Sequence, residues 1–445
     1  MTAQEKKYVQ MTTTPVRKLV ARFALPSIVC MLMTSFYNMV DTYFVSRLNT
    51  QSIAAVGIVF SYMGIIQAVS FFFGHGSGNF ISRALGARKT QDAQTMASTG
   101  LFSALIVSSA LALVCLAFKP TVLRAFGATE SILPYASRYL NYILVGTPFT
   151  SGSIVLNNQM RLQGNARLSM IGILSGGVLN VILDPIFIFA LDMGVAGAGL
   201  ATAVSQFCCF VFMMHLTGRG GGIAILPSAF SLTRTRIREI AAGGLPSLFR
   251  QGLMFLSLIC LNNLASGYGD HCVAAFSVVS RIMAIASALL IGFGQGFQPV
   301  CGFNYGAGRF DRVRSALKFT LGVGTAYALI FALVASVFAE PFVNLFTGGD
   351  EDVLRLGVRI LRWQCLSFPL CGVIIGTNMF LQNIRRTWPA VAVAAARQGL
   401  FFIPAALLGN LFGAVAGLSA SQAVSDACAF VFCLPFLIAA YRALK

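Results

Sequence analysis

Apolar residues run along this chain in stretches of about 20, broken by short polar segments. That is the length a helix needs to cross a hydrocarbon core about 30 Å thick. Twelve such stretches are read at 19–46, 53–75, 94–118, 133–160, 168–190, 195–217, 240–266, 272–296, 315–339, 355–382, 388–408 and 413–441. Several are longer than a single crossing requires, and tilt or kinks at residues such as Pro26 and Pro148 absorb the excess. The expected fold class is therefore an all-α polytopic membrane protein.

Composition sharpens this picture. The chain is 57% hydrophobic and 10% charged, whereas a soluble domain carries about 25% charged residues. The net charge of +18 would suggest nucleic acid in a soluble protein. Here the basic residues sit in short loops, so they report topology instead. On the side that holds the N-terminus fall 22 of the 32 Lys and Arg residues, against three (Arg47, Lys119 and Arg124) on the other. That bias places both termini in the cytoplasm. The first run is too long for a signal-peptide core and is read as a retained helix. The 11 cysteines lie mostly inside apolar runs with no zinc-like spacing, as small hydrophobic side chains would. No Walker motif, catalytic triad or metal spacing is present, which argues against an enzyme and leaves an ion gradient as the energy source.

The chain also repeats itself at one constant offset. ALP at 24–26 returns as GLP at 244–246, Ala54-Ala55 as Ala274-Ala275, Gly74 and Gly76 as Gly294 and Gly296, and LGARK at 85–89 as YGAGR at 305–309. Six spans per half is an even number, so both halves enter the membrane in the same direction. This predicts a 6+6 parallel pseudo-repeat with a cavity between two six-helix bundles. The expected organisation is 1–217 for helices 1–6, a flexible glycine-containing cytoplasmic linker at 218–239, and 240–445 for helices 7–12.

Charges inside the apolar runs stand out. An ionisable group at a helix centre costs at least about 2.5–3.5 kcal/mol, so each needs a partner or a task. Asp41, Asp184, Asp426, Arg250, Arg281 and Arg397 qualify. Asp41 lies about five residues before the end of span 1, Asp184 about six before the end of span 5, and Thr202 about seven into span 6. At about 1.5 Å per residue all three fall roughly 8–11 Å below the outer surface. Asn180 shares a face with Asp184, and Tyr37 and Asn38 share one with Asp41. Such a set suits a proton or a desolvated monovalent cation; alternatively, the acids bond neighbouring backbone. The second half lacks it, with Leu261 in place of Asp41. Its Arg250, Arg281, Arg397 and Asp426 read as an Arg–Asp pair with solvated arginines, or as contacts for an anionic part of a substrate. His75 reads as a polar cap or cavity residue.

Together these pieces resemble the multidrug and toxic compound extrusion (MATE) family. The residues that carry the resemblance are ALPSIVCMLMTSFYNMVDTYFVSRL in span 1, NVILDPIFIF in span 5, GAGLATAVSQ opening span 6, and QPVCGFNYGAGR after span 8, with Gln298, Pro299, Asn304, Tyr305, Gly306 and Ala307 forming its most specific signature. The bacterial branch of MepA-type and DinF-type pumps is the nearest match. The resemblance implies a two-lobed, V-shaped antiporter of the bacterial inner membrane that exchanges amphipathic, often cationic compounds for H+ or Na+. It implies cation ligands at Asp41, Asn180, Asp184 and Thr202, with Tyr37 and Asn38 behind them, and a helix-1 hinge at Pro26. A substrate cavity lined by Tyr37, Asn157, Arg250 and Arg281 is expected. NorM-type pumps carry acidic ligands in spans 7 and 10, which this sequence lacks. No cofactor and no metal beyond Na+ at the cation site are expected. The partners expected are small amphipathic substrates and membrane lipid, without nucleic acid, acting on a monomer. The alternatives are a lipid-linked oligosaccharide flippase of the same superfamily and a non-transporting membrane scaffold or receptor.

Overall fold

The computed structural model describes residues 2–347 and 350–444, apart from the side chains of Ala3 and Asn38. The expected placement of Asn38 behind the cation ligands thus lies outside the described residues. Every regular element among the described residues is helical. The main helices are α1 (Ala3–Thr13), α2 (Val16–Ser46), α3 (Thr50–Gly86), α4 (Thr90–Ala117), α5 (Lys119–Ala125), α6 (Leu133–Leu162), α7 (Ala166–Pro185) and α8 (Val195–Leu216). They continue with α9 (Arg234–Ser266), α10 (Asp270–Gly306), α11 (Phe310–Val337), α12 (Ala339–Thr347), α13 (Glu351–Asn383), α14 (Thr387–Ala395) and α15 (Phe402–Arg442). Ten helical segments among the described residues are long and apolar enough to cross a membrane, and one of them, Thr387–Arg442, holds two expected spans. They are separated at Ala414, whose φ of 46° breaks the helix. The remaining span is α6, which is not among those ten and much of which is buried against protein.

The sequence repeat is visible as matched helices. Both ends of α10 fall at the repeat offset from those of α3, and both ends of α11 at the same offset from those of α4. α7 and α14 each run on into a π-helical turn, Ile186–Ala190 and Ala396–Leu400. Such turns concentrate at functional sites.

The chain forms two compact units. Unit 1 holds residues 1–14, 29–248 and 302–308; unit 2 holds 15–28, 249–301 and 309–445. Thus the start of α9 packs in unit 1 and the start of α2 in unit 2, although the repeat follows chain order. Glycine explains both placements. A Cβ on Gly76 of α3 would stand 2.3 Å from the Ile240 carbonyl oxygen of α9. Its repeat mate Gly296 of α10 would meet the Ala24 Cα of α2 at 2.4 Å. Each close approach requires the missing side chain. Both transferred segments end two residues after a proline, Pro26 in α2 and Pro246 in α9.

Three features differ from expectation. Residues before span 1 form a helix, α1, closed by a capping box between Thr2 and Glu5. The linker is not a free tether: the Ile223 N–H donates to Gln163 Oε1 at 2.9 Å, the Leu226 N–H to Ser98 Oγ at 3.1 Å, and Ile223 and Ile225 are buried. Arg161, counted above as a loop charge, is 2% exposed inside α6. Its guanidinium donates to Asn158 Oδ1 at 2.7 Å and meets His75 Nε2 at 3.2 Å. Guanidinium has no acceptor, so Nε2 must accept and Nδ1–H donates to Ser247 Oγ, 3.0 Å away. His75 is therefore an interior tie between α3, α6 and α9 rather than a cap.

In unit 2 the expected Arg–Asp pair is present. Arg397 Nε donates to Asp426 Oδ1 at 2.8 Å. Gln422 donates to the same oxygen at 2.9 Å, and Ser367 to Oδ2 at 2.9 Å. With both carboxylate oxygens engaged, this pair reads as a structural joint between α13, α15 and the π turn.

Two outcomes follow for purified protein. Gly76→Ala should lose about 1–3 kcal/mol through overpacking, read as a lower thermal unfolding midpoint. Gly57→Ala, where nothing lies within 4 Å of the new Cβ, should leave the midpoint unchanged. Asp426→Ala strands a buried guanidinium and should cost about 3–5 kcal/mol, with Asp426→Asn falling between that variant and the parent chain in the same melt.

Candidate functional site

The expected cation ligands gather in unit 1, on four helices. α2 supplies Tyr37 and Asp41, α7 supplies Asn180 and Asp184, and α8 supplies Thr202. The fourth contribution is Tyr139 of α6, 1% exposed, which sequence reasoning missed. The depth argument was available for it: Tyr139 lies six residues into span 4 from the outer side, level with Thr202.

Small residues bring the helices together. The Tyr37 ring packs over Gly177, where an added Cβ would touch it at 3.6 Å. Gly177 precedes Asn180 by three residues and Asp184 by seven, so one stripe of α7 presents glycine, amide and carboxylate to α2. On α8, a Cβ at Gly199 would come within 2.9 Å of the Tyr139 carbonyl oxygen. Thr202, three residues on, thus lies on the helix that packs closely against α6 at Tyr139. The chain then turns at Pro185 into the π helix directly after Asp184.

The cluster is rich in oxygen and poor in positive charge. Asn180 Nδ2 donates to Asp184 Oδ1 at 3.2 Å, which leaves the Asn180 carbonyl oxygen free to act as a ligand. Asp184 is fully buried, and its Oδ2 has no hydrogen-bond partner; neither has Asp41 Oδ1. The two carboxyl groups are close enough to interact electrostatically, and both act on Tyr139. No ion pair to either acid exists among the described residues. Buried polar atoms are almost always satisfied, so two unspent carboxylate oxygens in one bundle stand out. No cluster of three or more His, Cys, Asp or Glu suited to a resident metal occurs among the described residues.

The other expected residues lie apart from this cluster. Asn157 ties α6 to α7, donating to Ser169 Oγ at 2.6 Å. Its counterpart in the second half, Asn378 of α13, makes the corresponding tie to the Ala390 carbonyl at 2.7 Å. Asn157 thus has a helix-joining task that both halves share. Arg250 and Arg281 belong to unit 2. Arg250 is half-buried and Arg281 exposed, and neither is ion-paired among the described residues. Pro26 sits inside α2, fifteen residues before Asp41.

Comparison with known proteins bears on the chain as a whole. The multidrug export protein MepA of Staphylococcus haemolyticus (strain JCSC1435) is 27% identical over 420 residues, 93% of this chain and 92% of that protein. MepA of Staphylococcus aureus (strain MSSA476) is 27% identical over 403 residues, 90% of this chain and 88% of that one. Among solved structures, the outward-facing conformation of a multidrug resistance MATE family transporter of the MOP superfamily superposes with a TM-score of 0.92 at 25% identity, covering 98% of both chains. A MATE in the straight conformation gives the same score, identity and coverage. The MatE family model matches residues 26–186 and 246–408, two segments that start at the paired prolines. On this twofold match, one copy in each half, the chain belongs to the MatE family.

Proposed function

We propose that this chain is a secondary active multidrug efflux antiporter of the bacterial inner membrane, with both termini in the cytoplasm. It exports amphipathic and often cationic compounds in exchange for H+ or Na+. Family membership and relatives named multidrug export protein support the export half of this reading. The observation that carries the coupling half is the pair of unmatched buried oxygens, Asp41 Oδ1 and Asp184 Oδ2.

The chemistry follows from charge. Two carboxylates in a low-dielectric bundle cannot both stay ionised and unpaired. A proton relieves the strain by neutralising one acid. A dehydrated Na+ relieves it by drawing on Asp41, Asn180, Asp184 and Thr202 as oxygen ligands. A cationic substrate competes for the same negative charge, so ion entry favours drug release and drug entry favours ion release. The membrane potential contributes about 2.3 kcal/mol per charge per 100 mV to each exchange. Residues 1–217 and 240–445 act as the two transporting halves joined by 218–239, and α2 bends near Pro26 as the site changes occupancy. The whole cation cluster lies within one chain, so a monomer suffices.

The test is export of a cationic fluorescent dye from liposomes under separately imposed proton and sodium gradients. Asp41→Asn and Asp184→Asn should each reduce gradient-driven export at least about tenfold, the loss of about 1.4 kcal/mol of coupling. Export at the unaltered rate by both variants would refute the cation assignment.

A further inference from the structure

A second cluster of charge lies away from the cation site, around α1. A cavity of about 480 Å³ opens there, within the range of about 300–1,000 Å³ typical of small-molecule sites. The charged and titratable groups that line it are Glu5, Lys7 and Tyr8 of α1 and Arg88 of the turn between α3 and α4. α4, the linker and α10 contribute only Thr90, Gly221 and Phe303.

Each polar group has a defined state. Glu5 lines the cavity with its carboxylate engaged, one oxygen accepting the Thr2 backbone N–H within the capping box. Arg88, held at φ 60°, lays its guanidinium over the Tyr8 ring at 4.3 Å from the centroid. This leaves the edge of the guanidinium for hydrogen bonding. Lys7 is half-buried, and of its three ammonium donors one is used, to Asn165 Oδ1 at 2.7 Å. No carboxylate pairs with it among the described residues. Thr90 begins a 28-residue helix whose N-cap, Lys89, provides no side-chain cap, so the positive end of that helix also faces the cavity. Two cations and a helix N-terminus thus line the cavity against one carboxylate, Glu5, which is engaged in the capping box. Leu85, Phe303 and the Tyr8 ring add an apolar flank.

We propose that this cavity binds an anionic phosphate group, carried by a small soluble molecule or by an anionic lipid headgroup, and thereby fastens α1 to unit 1. The inference does not rest on the transport reading. Burial away from water pulls the Lys7 ammonium down to about 7. A bound anion favours the charged form, so binding takes up a proton. Affinity is therefore greatest below about pH 7 and falls as the pH rises through that value.

The experiment uses the full chain in nanodiscs. In one arm, discs of phosphatidylcholine are titrated calorimetrically with glycerol 3-phosphate at about pH 6 and about pH 8.5, either side of the Lys7 transition. In the other, discs containing phosphatidylglycerol are opened in the mass spectrometer and retained lipid is counted. Binding in the first arm, weaker at the higher pH, identifies a soluble ligand. Retention of phosphatidylglycerol without glycerol 3-phosphate binding identifies a headgroup. Lys7→Gln keeps a donor for Asn165, and Arg88→Asn tolerates positive φ. Each should weaken binding at least about tenfold in the responding arm. If one variant fails to elute as a folded species, the other decides. Absence of binding in both arms, or undiminished binding in the variants, overturns the proposal.

Discussion

Two carboxyl groups without counter-ions in one bundle, Asp184 fully buried and Asp41 half-buried, are the constraint around which unit 1 is organised. Nothing among the described residues neutralises Asp41 or Asp184, and an isolated buried charge is far costlier than any single packing contact is favourable. The helices around them are shaped accordingly. Gly177 and Gly199 draw α7 and α8 in, Asn180 occupies one carboxylate oxygen, and Tyr139 and Thr202 close the shell with hydroxyls. The π turn after Asp184 ends α7 at this point. On the proposed function, a group left unsatisfied at such cost is kept for an occupant that comes and goes.

Unit 2 shows what the same architecture does when no occupant is expected. Its acid, Asp426, is saturated by Arg397, Gln422 and Ser367, and Leu261 stands in the hydrophobic core where Asp41 stands in the first half. The two halves share the lengths of α3 and α10 and of α4 and α11, an amide tie and a glycine contact. They differ in whether the buried charge is matched. Matched charge gives rigidity, and unmatched charge gives responsiveness to the ion in the bath.

Much of this was legible in the sequence, for reasons particular to membranes. Span lengths follow from bilayer thickness, and the constant offset of the sequence repeat becomes equal helix ends in α3 and α10. Asp41, Asp184 and Thr202 stood out by their positions along the apolar runs, and Asn180 by its four-residue spacing from Asp184, which the Asn180–Asp184 hydrogen bond reflects. What could not be read was anything set by contact rather than period. Arg161 looked like a loop charge because only tertiary packing shows His75 and Asn158 beside it. α1 is short and polar, and its helix depends on a cap and on Lys7, Met11 and Asn304 contacts. Asn157 looked like a cavity polar group because its partner Ser169 lies in the next helix. The unit boundaries escaped the repeat because they depend on which backbone passes closest to Gly76 and Gly296.

The paired prolines set where α2 and α9 can flex. Bending an ordinary helix stretches the hydrogen bonds along its convex side. At Pro26 and Pro246 there is no N–H to stretch, so the carbonyls of Arg22 and Ala242 have no ladder bond to lose. Thr34 and Ser35, bonding back to the Cys30 and Met31 carbonyls, soften the next turns of α2 in the same way. Each of these helices therefore carries a ready-made flexure at the point where it passes from one compact unit to the other, at matching places in the repeat. On the proposed function, an angular change there would leave the helical spans on either side intact, and motion at one end of α2 would reach the carboxylate at the other as a rotation of a stiff lever.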